Sequence, residues 1–355
     1  MAAGRRHNSR HGAGATDTDA TDASATVLRL KLAVPLILSA AEIGTAARLL
    51  RNGRLVAFPT ETVYGLGANA LDADAVARIY VSKRRPPTSP LIVHVASIEM
   101  ARALVGKTAA GARAWPESAE RLTQKFWPGP LTLVLTKSDA IPRSVTAGLP
   151  TVGLRMPSHP VALALIRAAG VPLAAPSANR FTELSPTTAE HVRRSLGSDV
   201  DYVLDGGPCE VGIESTVLSL VGVRPVLLRP GGISRSELEL VLGPIDSAEA
   251  PSNDAHPSPG MQARHYSPRT PLFLVSDGEA PEGRGVYLQY TRPLHRAGDK
   301  LIQMPLSAGD YATRLYSALH EADDANADWI AVDLPPALPE WEAVHDRLRR
   351  AAFRD

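Results

Sequence analysis

Cysteine is nearly absent from this sequence of 355 residues. The single cysteine, Cys209, excludes a disulfide framework and every zinc site that requires several cysteines. Long hydrophobic runs are also missing, since the longest, at 30–38, is interrupted by Lys31 and Pro35 and is too short to span a membrane. This composition is typical of a reducing compartment, and we expect a cytoplasmic protein without a membrane partner.

An excess of charge of one sign is missing as well. The chain has 38 basic and 37 acidic side chains, a net charge of +1. Such a balance gives no general attraction to nucleic acid or to a membrane surface, so any site for an anion must be local. Residues 1–35 begin without the apolar segment of a secretory signal, and we expect a disordered tail there. Early arginines leave an organellar targeting segment as the alternative.

Helix and strand patterns alternate over residues 36–245, which predicts an α/β catalytic domain. Because the alternation is not strict, we expect a mixed, twisted sheet with flanking helices. Two capping pairs, Thr187 with Glu190 and Ser234 with Glu237, predict the starts of two helices. Residues 246–270 are rich in Pro, Ser and Asp and are typical of a linker. Residues 271–355 then predict a second, small α/β domain.

Small hydroxyl and cationic residues recur where the predicted strands begin or end. The stretch FPTETVYGLG leaves an apolar strand through Thr60 and Thr62. The same pattern places these residues at other strand ends: Arg155, Ser177, Ser215 and Arg229. Ligands of α/β sheets collect at strand ends, so the pattern predicts a cleft for a small anionic ligand such as a nucleotide. We find no catalytic triad or metal-ligand cluster in the sequence, which favours catalysis by positioning and charge neutralisation.

A basic segment, SKRRPPTSP at 82–90, lies at the end of a predicted helix. Lys83 and Arg85 complement the negative end of that helix, and prolines then stiffen the chain beside Ser89. Fixed cations and hydroxyls suit a polyphosphate. The nearby VGKT at 105–108 is not a phosphate-binding P-loop, because Ala101 stands where that motif requires glycine.

Seven motifs taken in order resemble the threonylcarbamoyl-AMP synthase family in its long, two-domain form with a YrdC-like catalytic domain. They are PTETVYGLG, KRRPPTSPLIVHV, FWPGPLTLVL, VGLRMPSHP, APSANR, GIESTVL and LRPGGIS, and SPGMQARHYSP in the linker is similar to the long form. The resemblance implies a YrdC-like fold with a small Rossmann-like C-terminal domain. It also implies a nucleotidyltransferase that makes threonylcarbamoyl-AMP and pyrophosphate from L-threonine, bicarbonate and ATP. A tRNA threonylcarbamoyl transferase complex would use the product beside the anticodon.

The resemblance also implies site residues. The expected threonine-binding residues are Thr62, His94, Arg155, Ala175 and Ser215. The expected ATP-binding residues are Arg85, Ser89, Thr151, Ser177, Ser185, Arg229 and Tyr266, with Lys83 and Arg85 as catalytic cations. Mg²⁺ would be held mainly through the ATP phosphates, with no metal ligand from the protein. For His94 taken alone, a role in the core remains the ordinary expectation for a histidine in an apolar strand.

The resemblance implies that Tyr266, a residue of the linker, contacts ATP. We therefore expect residues 257–268 to close over the cleft as a lid. Two alternatives stay open: a double-stranded RNA-binding protein, which the near-neutral charge disfavours, and a regulatory YrdC-like protein without turnover. The related hydrogenase-maturation carbamoyltransferase is excluded, since its cysteine-rich zinc modules cannot be built with one cysteine. Direct binding of tRNA is left undecided.

Overall fold

The computed structural model describes residues 36–38, 42–107, 114–248, 265–275, 281–293 and 299–353. The expected tail at 1–35 and most of the expected lid, up to residue 264, lie outside the described residues. No helix in the described part of the chain is long and apolar enough to cross a membrane.

One mixed sheet forms the larger part of the structure. Its strands in chain order are β1 (Leu36–Leu38), β2 (Val56–Phe58), β3 (Gly65–Asn69), β4 (Ile92–His94), β5 (Leu131–Thr136), β6 (Thr151–Arg155), β7 (Leu173–Ala174), β8 (Tyr202–Leu204), β9 (Thr216–Ser219), β10 (Val226–Arg229) and β11 (Asp246–Ser247). Their order across the sheet is β1-β8-β2-β3-β7-β4-β6-β5-β9-β10-β11, with parallel and antiparallel neighbours. The mixed sheet predicted from the sequence is therefore confirmed.

Helices flank this sheet: α1 (Ile43–Arg51), α2 (Ala73–Lys83), α3 (Ile98–Ala103), α4 (Glu117–Phe126), α5 (Pro160–Ala169), α6 (Ala189–Leu196) and α7 (Arg235–Leu242). The capping box of Ser234 and Glu237 at the start of α7 is confirmed. The prediction for Thr187 was wrong by one residue, because Thr188 caps α6 through the backbone N–H of His191. The Thr187 hydroxyl instead lies 3.3 Å from the His191 ring.

A glycine of the FPTETVYGLG stretch allows two strands to pack closely. A Cβ at Gly67 would lie 2.7 Å from the ring of Phe58, which belongs to the neighbouring strand β2. Only glycine therefore permits β3 to pair with β2 at this distance. Gly65, the other glycine of this motif, lines the cavity described below.

A second sheet of four parallel strands follows. It consists of β12 (Leu272–Val275), β13 (Gly285–Gln289), β14 (Lys300–Gln303) and β15 (Trp329–Asp333), in the order β12-β15-β13-β14. The helices that follow β14 and β15 are α8 (Ala308–Asp323) and α9 (Glu342–Ala352). This arrangement agrees with the small Rossmann-like α/β domain predicted from the sequence.

The two sheets are joined by a shared hydrophobic cluster. Val63, Leu184 and Ile213 from the first part pack in one cluster with Leu315 and Leu348 from the second. Residues of α8 and α9 are thereby held close to the loops that leave the large sheet. Burial of apolar surface is the main stabilising contribution to such an interface, and this cluster packs the second domain against the first.

Candidate active site

A cavity of about 50 Å³ lies where loops leave the middle of the large sheet. Most of the residues predicted from the sequence line it: Thr62, Arg85, His94, Arg155, Ala175, Ser177, Ser215, Arg229 and Tyr266. The sheet itself brings them together. His94 and Arg155 are partners in the parallel pairing of β4 and β6, at the ends of both strands. Arg229 ends β10, and Ser215 precedes β9 beside it.

Arg155 forms a buried ion pair with Glu61. Nη2 of Arg155 lies 2.8 Å from Oε1 of Glu61, and the two residues are 4% and 3% exposed. Nε of Arg155 donates to the carbonyl of Gly129 at 3.3 Å. Neither carboxylate oxygen of Glu61 has an aligned hydrogen bond within the described residues. Arg155 is therefore fixed by charge, and its planar guanidinium faces the cavity from the end of β6.

His94 is a neutral imidazole in this cavity. Burial, together with the nearby Arg155 guanidinium, lowers the pKa of His94 to about 3. Its ring meets the ring of Phe58 edge-on, with the centroids 6.1 Å apart. Nδ1 has no hydrogen-bond partner among the described residues, although the side chain is buried. A buried polar atom without a partner in a cavity wall is a candidate contact for a ligand.

Two further guanidiniums, those of Arg85 and Arg229, line the same cavity. Arg85 donates to the carbonyls of Ser89 at 3.3 Å and Pro90 at 3.1 Å. These two hydrogen bonds hold the guanidinium against the proline-rich turn that follows it. Burial lowers the pKa of Arg85 to about 10, which leaves the group cationic at neutral pH. Nη2 of Arg229 donates to the carbonyl of Ser215 at 2.9 Å. Two fixed cations in a buried wall are suited to a phosphate chain.

Tyr266 and His265 close one side of the cavity. Tyr266 is 1% exposed and adopts a left-handed backbone conformation with φ of 60°. Its hydroxyl has no hydrogen-bond partner within the described part of the chain. The ring packs against His265 and against Tyr316 of α8, with centroids 4.0 and 5.7 Å apart. His265 and Tyr266, at the end of the linker, thus line the cavity, while residues 257–264 of the predicted lid lie outside the described residues.

Comparisons with known proteins show which proteins this chain is similar to. A family model described as "Telomere recombination" matches residues 48–231, and one described as "Threonylcarbamoyl-AMP synthase, C-terminal domain" matches residues 233–353. The threonylcarbamoyl-AMP synthase of Bacillus subtilis (strain 168) is 44% identical over 331 residues, covering 88% of this chain and 93% of the relative. That of Pyrococcus abyssi is 41% identical over 327 residues, covering 88% and 94%.

This chain belongs to the threonylcarbamoyl-AMP synthase family. It is a nucleotidyltransferase of that type, as the resemblance predicted. A crystal structure of P. abyssi Sua5 complexed with L-threonine superposes with a TM-score of 0.81 at 39% identity and covers 90% of this chain and 98% of that one. Both domains of this synthase-family chain therefore have the fold of a relative that binds threonine.

Four of the predicted residues do not line the cavity. The ammonium group of Lys83 donates to the carbonyl of Ser177 at 2.6 Å and to the carbonyl of Asn179, so it supports the APSANR loop from behind. Burial, with the neighbouring Arg85, lowers the pKa of Lys83 well below its ordinary value.

Ser185, Ser89 and Thr151 also lie outside the cavity lining. The Ser185 hydroxyl donates to Oε1 of Glu214, and the Ser89 carbonyl accepts from Arg85. Thr151 lies at the start of β6 in a smaller cavity of about 10 Å³.

Sequence reasoning missed two acidic residues, Glu61 and Glu214. Both are buried, and Glu214 lines the cavity. Each lies between hydroxyl or apolar residues at a strand end, in TET and in IEST. That signal was available, because an acidic residue inside a largely apolar segment requires a buried cation as its partner.

Proposed function

We propose that this chain makes threonylcarbamoyl-AMP and pyrophosphate from L-threonine, bicarbonate and ATP. The observation that supports this most is the single buried cavity wall that carries Arg155, Arg85 and Arg229. Three guanidiniums there suit an amino-acid carboxylate and a triphosphate bound side by side. Membership of the synthase family and the threonine complex of a relative support the same reading.

Threonine would bind on the His94 side of the cavity. Arg155 pairs with the threonine carboxylate, while Thr62, Ser215 and neutral His94 offer hydroxyl and imidazole contacts. Ala175 leaves space for the side-chain methyl group. With its carboxylate held, the threonine amine is directed towards bicarbonate. The two combine with loss of water to a carbamate whose oxygen is the nucleophile.

The carbamate oxygen then attacks the α-phosphorus of ATP, and pyrophosphate leaves with the electrons of the broken P–O bond. Arg85 and Arg229 offset the negative charge that builds up on the phosphates in this step. Ser177 and Tyr266 contact the nucleotide, and Lys83 supports this arrangement by holding the Ser177 loop. Ser89, Thr151 and Ser185 are proposed to complete the nucleotide site. Closure by the HYSP segment excludes water from the mixed anhydride.

Mg²⁺ would enter with ATP as its phosphate complex and neutralise charge on the leaving pyrophosphate. Within the described residues no three His, Cys, Asp or Glu are grouped to hold a metal ion. The two carboxylates near the cavity, Glu61 and Glu214, are already paired with arginines. The chemistry of the donor set therefore agrees with a metal held mainly by the phosphates.

The product would pass in the cytoplasm to a tRNA threonylcarbamoyl transferase complex, for modification of the adenosine beside the anticodon. A double-stranded RNA-binding or regulatory role without turnover is the alternative. The buried arginines favour the synthase, since Arg85, Arg155 and Arg229 are only 6%, 4% and 4% exposed, whereas an RNA duplex is bound by basic side chains exposed on a protein surface.

Pyrophosphate release distinguishes these functions. The purified chain is incubated with threonine, bicarbonate and ATP, and each is omitted in turn. The synthase requires all three. Release that continues without threonine or without bicarbonate would contradict the proposal, and RNA affinity with no release under any condition would favour the alternative.

A further inference from the structure

The second domain contributes a buried arginine next to the cavity. Arg347 of α9 is 1% exposed, and its Nε donates to Oε2 of Glu214 at 2.7 Å. Glu214 is separated from it by 133 positions in the chain and lines the cavity. Nη1 of Arg347 also donates to Asp346 at 2.6 Å. One guanidinium therefore joins the last helix of the chain to the wall of the active site.

Glu214 is held from both domains. Its Oε1 accepts from the hydroxyl of Ser185 at 2.6 Å, and the hydroxyl of Tyr316 lies 3.2 and 3.1 Å from its two oxygens. Burial alone would raise the pKa of Glu214, but Arg347 and then Arg229 outweigh it and keep the pKa below its ordinary value. Glu214 is thus a carboxylate in the cavity wall that stays ionised because a cation of the second domain lies beside it.

An ionised carboxylate in this wall conflicts with a triphosphate unless its charge is matched. Nη2 of Arg229 donates to the carbonyl and to the hydroxyl of Ser215, the residue next to Glu214, and both Arg229 and Glu214 line the cavity. Without Arg347, Glu214 would form an ion pair with Arg229 or would repel the phosphates. Either effect would lower the affinity for ATP. The cation–π contact of Arg347, 5.2 Å from the ring centroid of Tyr266, lies on the same side.

We propose that Arg347 is a positioning residue for the nucleotide half of the site, which balances the charge of Glu214 so that Glu214 does not compete with the phosphates for the charge of Arg229. This rests on the proposed function, because it takes ATP as the ligand of this cavity. It gives the second domain a role in substrate binding. Arg347 itself lies behind the cavity wall and does not line it.

Equilibrium binding of ATP and of threonine, measured by calorimetry, tests this without turnover. In Arg347→Met the dissociation constant for ATP rises about tenfold or more, because Glu214 then competes with the phosphates for one charged hydrogen bond of Arg229, while that for threonine changes less than about twofold. Arg349→Met, on the exposed side of the same helix, is the matched control and binds both ligands as the wild type does.

Rescue separates charge matching from a merely structural contact. The double variant Glu214→Gln with Arg347→Met has no unmatched carboxylate, and its ATP affinity returns to within about threefold of the wild type. Glu214→Gln alone has a smaller effect than Arg347→Met, because Arg347 keeps Asp346 as its counterion. If Arg347→Met does not fold, Arg347→Lys decides, since it retains the charge and should bind ATP within about threefold of the wild type.

The inference is overturned if Arg347→Met binds ATP like the wild type, or if the double variant binds no better than Arg347→Met. A wild type that binds no ATP also overturns it. A wild type that binds ATP and responds as described, yet releases no pyrophosphate, would contradict the proposed function alone.

Discussion

Removal of the Arg155 guanidinium should affect threonine far more than ATP. In Arg155→Ala the threonine carboxylate loses a charged hydrogen-bond donor, which contributes about 1.5–3 kcal/mol. This corresponds to a rise of about 10- to 150-fold in KM for threonine. Glu61 also loses its counterion at 2.8 Å while buried, and breaking a buried pair in this way lowers the free energy of unfolding by about 3–5 kcal/mol.

Steady-state pyrophosphate release, with threonine and ATP varied separately, measures the two effects on KM. Arg167→Ala, an exposed arginine near the end of α5, is the control and should leave both KM values unchanged. The double variant Glu61→Gln with Arg155→Met removes both charges and keeps the volume of the side chains. We expect it to recover most of the stability, measured by chemical denaturation, while KM for threonine stays raised.

The assignment of Arg155 would be refuted by equal increases in KM for threonine and ATP in Arg155→Ala. It would also be refuted if the double variant regained normal threonine use together with its stability. Either result would mean that Arg155 only supports the fold, and that another group binds the threonine carboxylate.

Three further predictions follow from buried contacts. Lys83→Met should raise KM for ATP and lower the melting temperature because the Ser177 loop loses its support, whereas the exposed neighbouring variant Arg84→Met should do neither. His94 has a folded-state pKa of about 3 against an ordinary 6.5, so the unfolded state binds the extra proton. The free energy of unfolding should therefore fall as pH drops from 6.5 towards 3, by at most about 1.4 kcal/mol per pH unit for this group, and His94→Gln should flatten that dependence in denaturation curves. Gly231→Ala should destabilise the protein strongly, since its Cβ would lie 2.4 Å from the backbone of Glu214, while Gly44→Ala, with open space around it, should stabilise α1 by about 0.5–1 kcal/mol.

The strand ends could be predicted because each apolar run stops at a hydroxyl or a cation. Arg155 and Arg229 were identified in this way, and the structure brings them into one cavity wall. The separate roles of the cations at the end of α2, Lys83 and Arg85, were harder to predict. Arg84 ends the helix in a left-handed conformation, which separates its neighbours so that Lys83 supports a loop and Arg85 lines the cavity. Sequence spacing does not reveal that turn, since left-handed arginines are uncommon.

Partners distant in the sequence could not be predicted. Glu214 and Arg347 come together only because α9 packs on the loops of the large sheet, and the DRLRRAA segment alone indicates an ordinary amphipathic helix with exposed charges. The pairing of Glu61 with Arg155 likewise depends on how the loop after β2 folds back over the end of β6.

Incorporation of labelled carbon tests the proposed reaction most directly. The chain is incubated with ATP, threonine and ¹³C-bicarbonate, and the adenylate product is analysed by mass spectrometry. We predict a threonylcarbamoyl-AMP whose mass is one unit higher than that of the product from unlabelled bicarbonate. An adenylate of threonine without the label, or consumption of ATP with no threonine-containing adenylate, would contradict the proposed reaction.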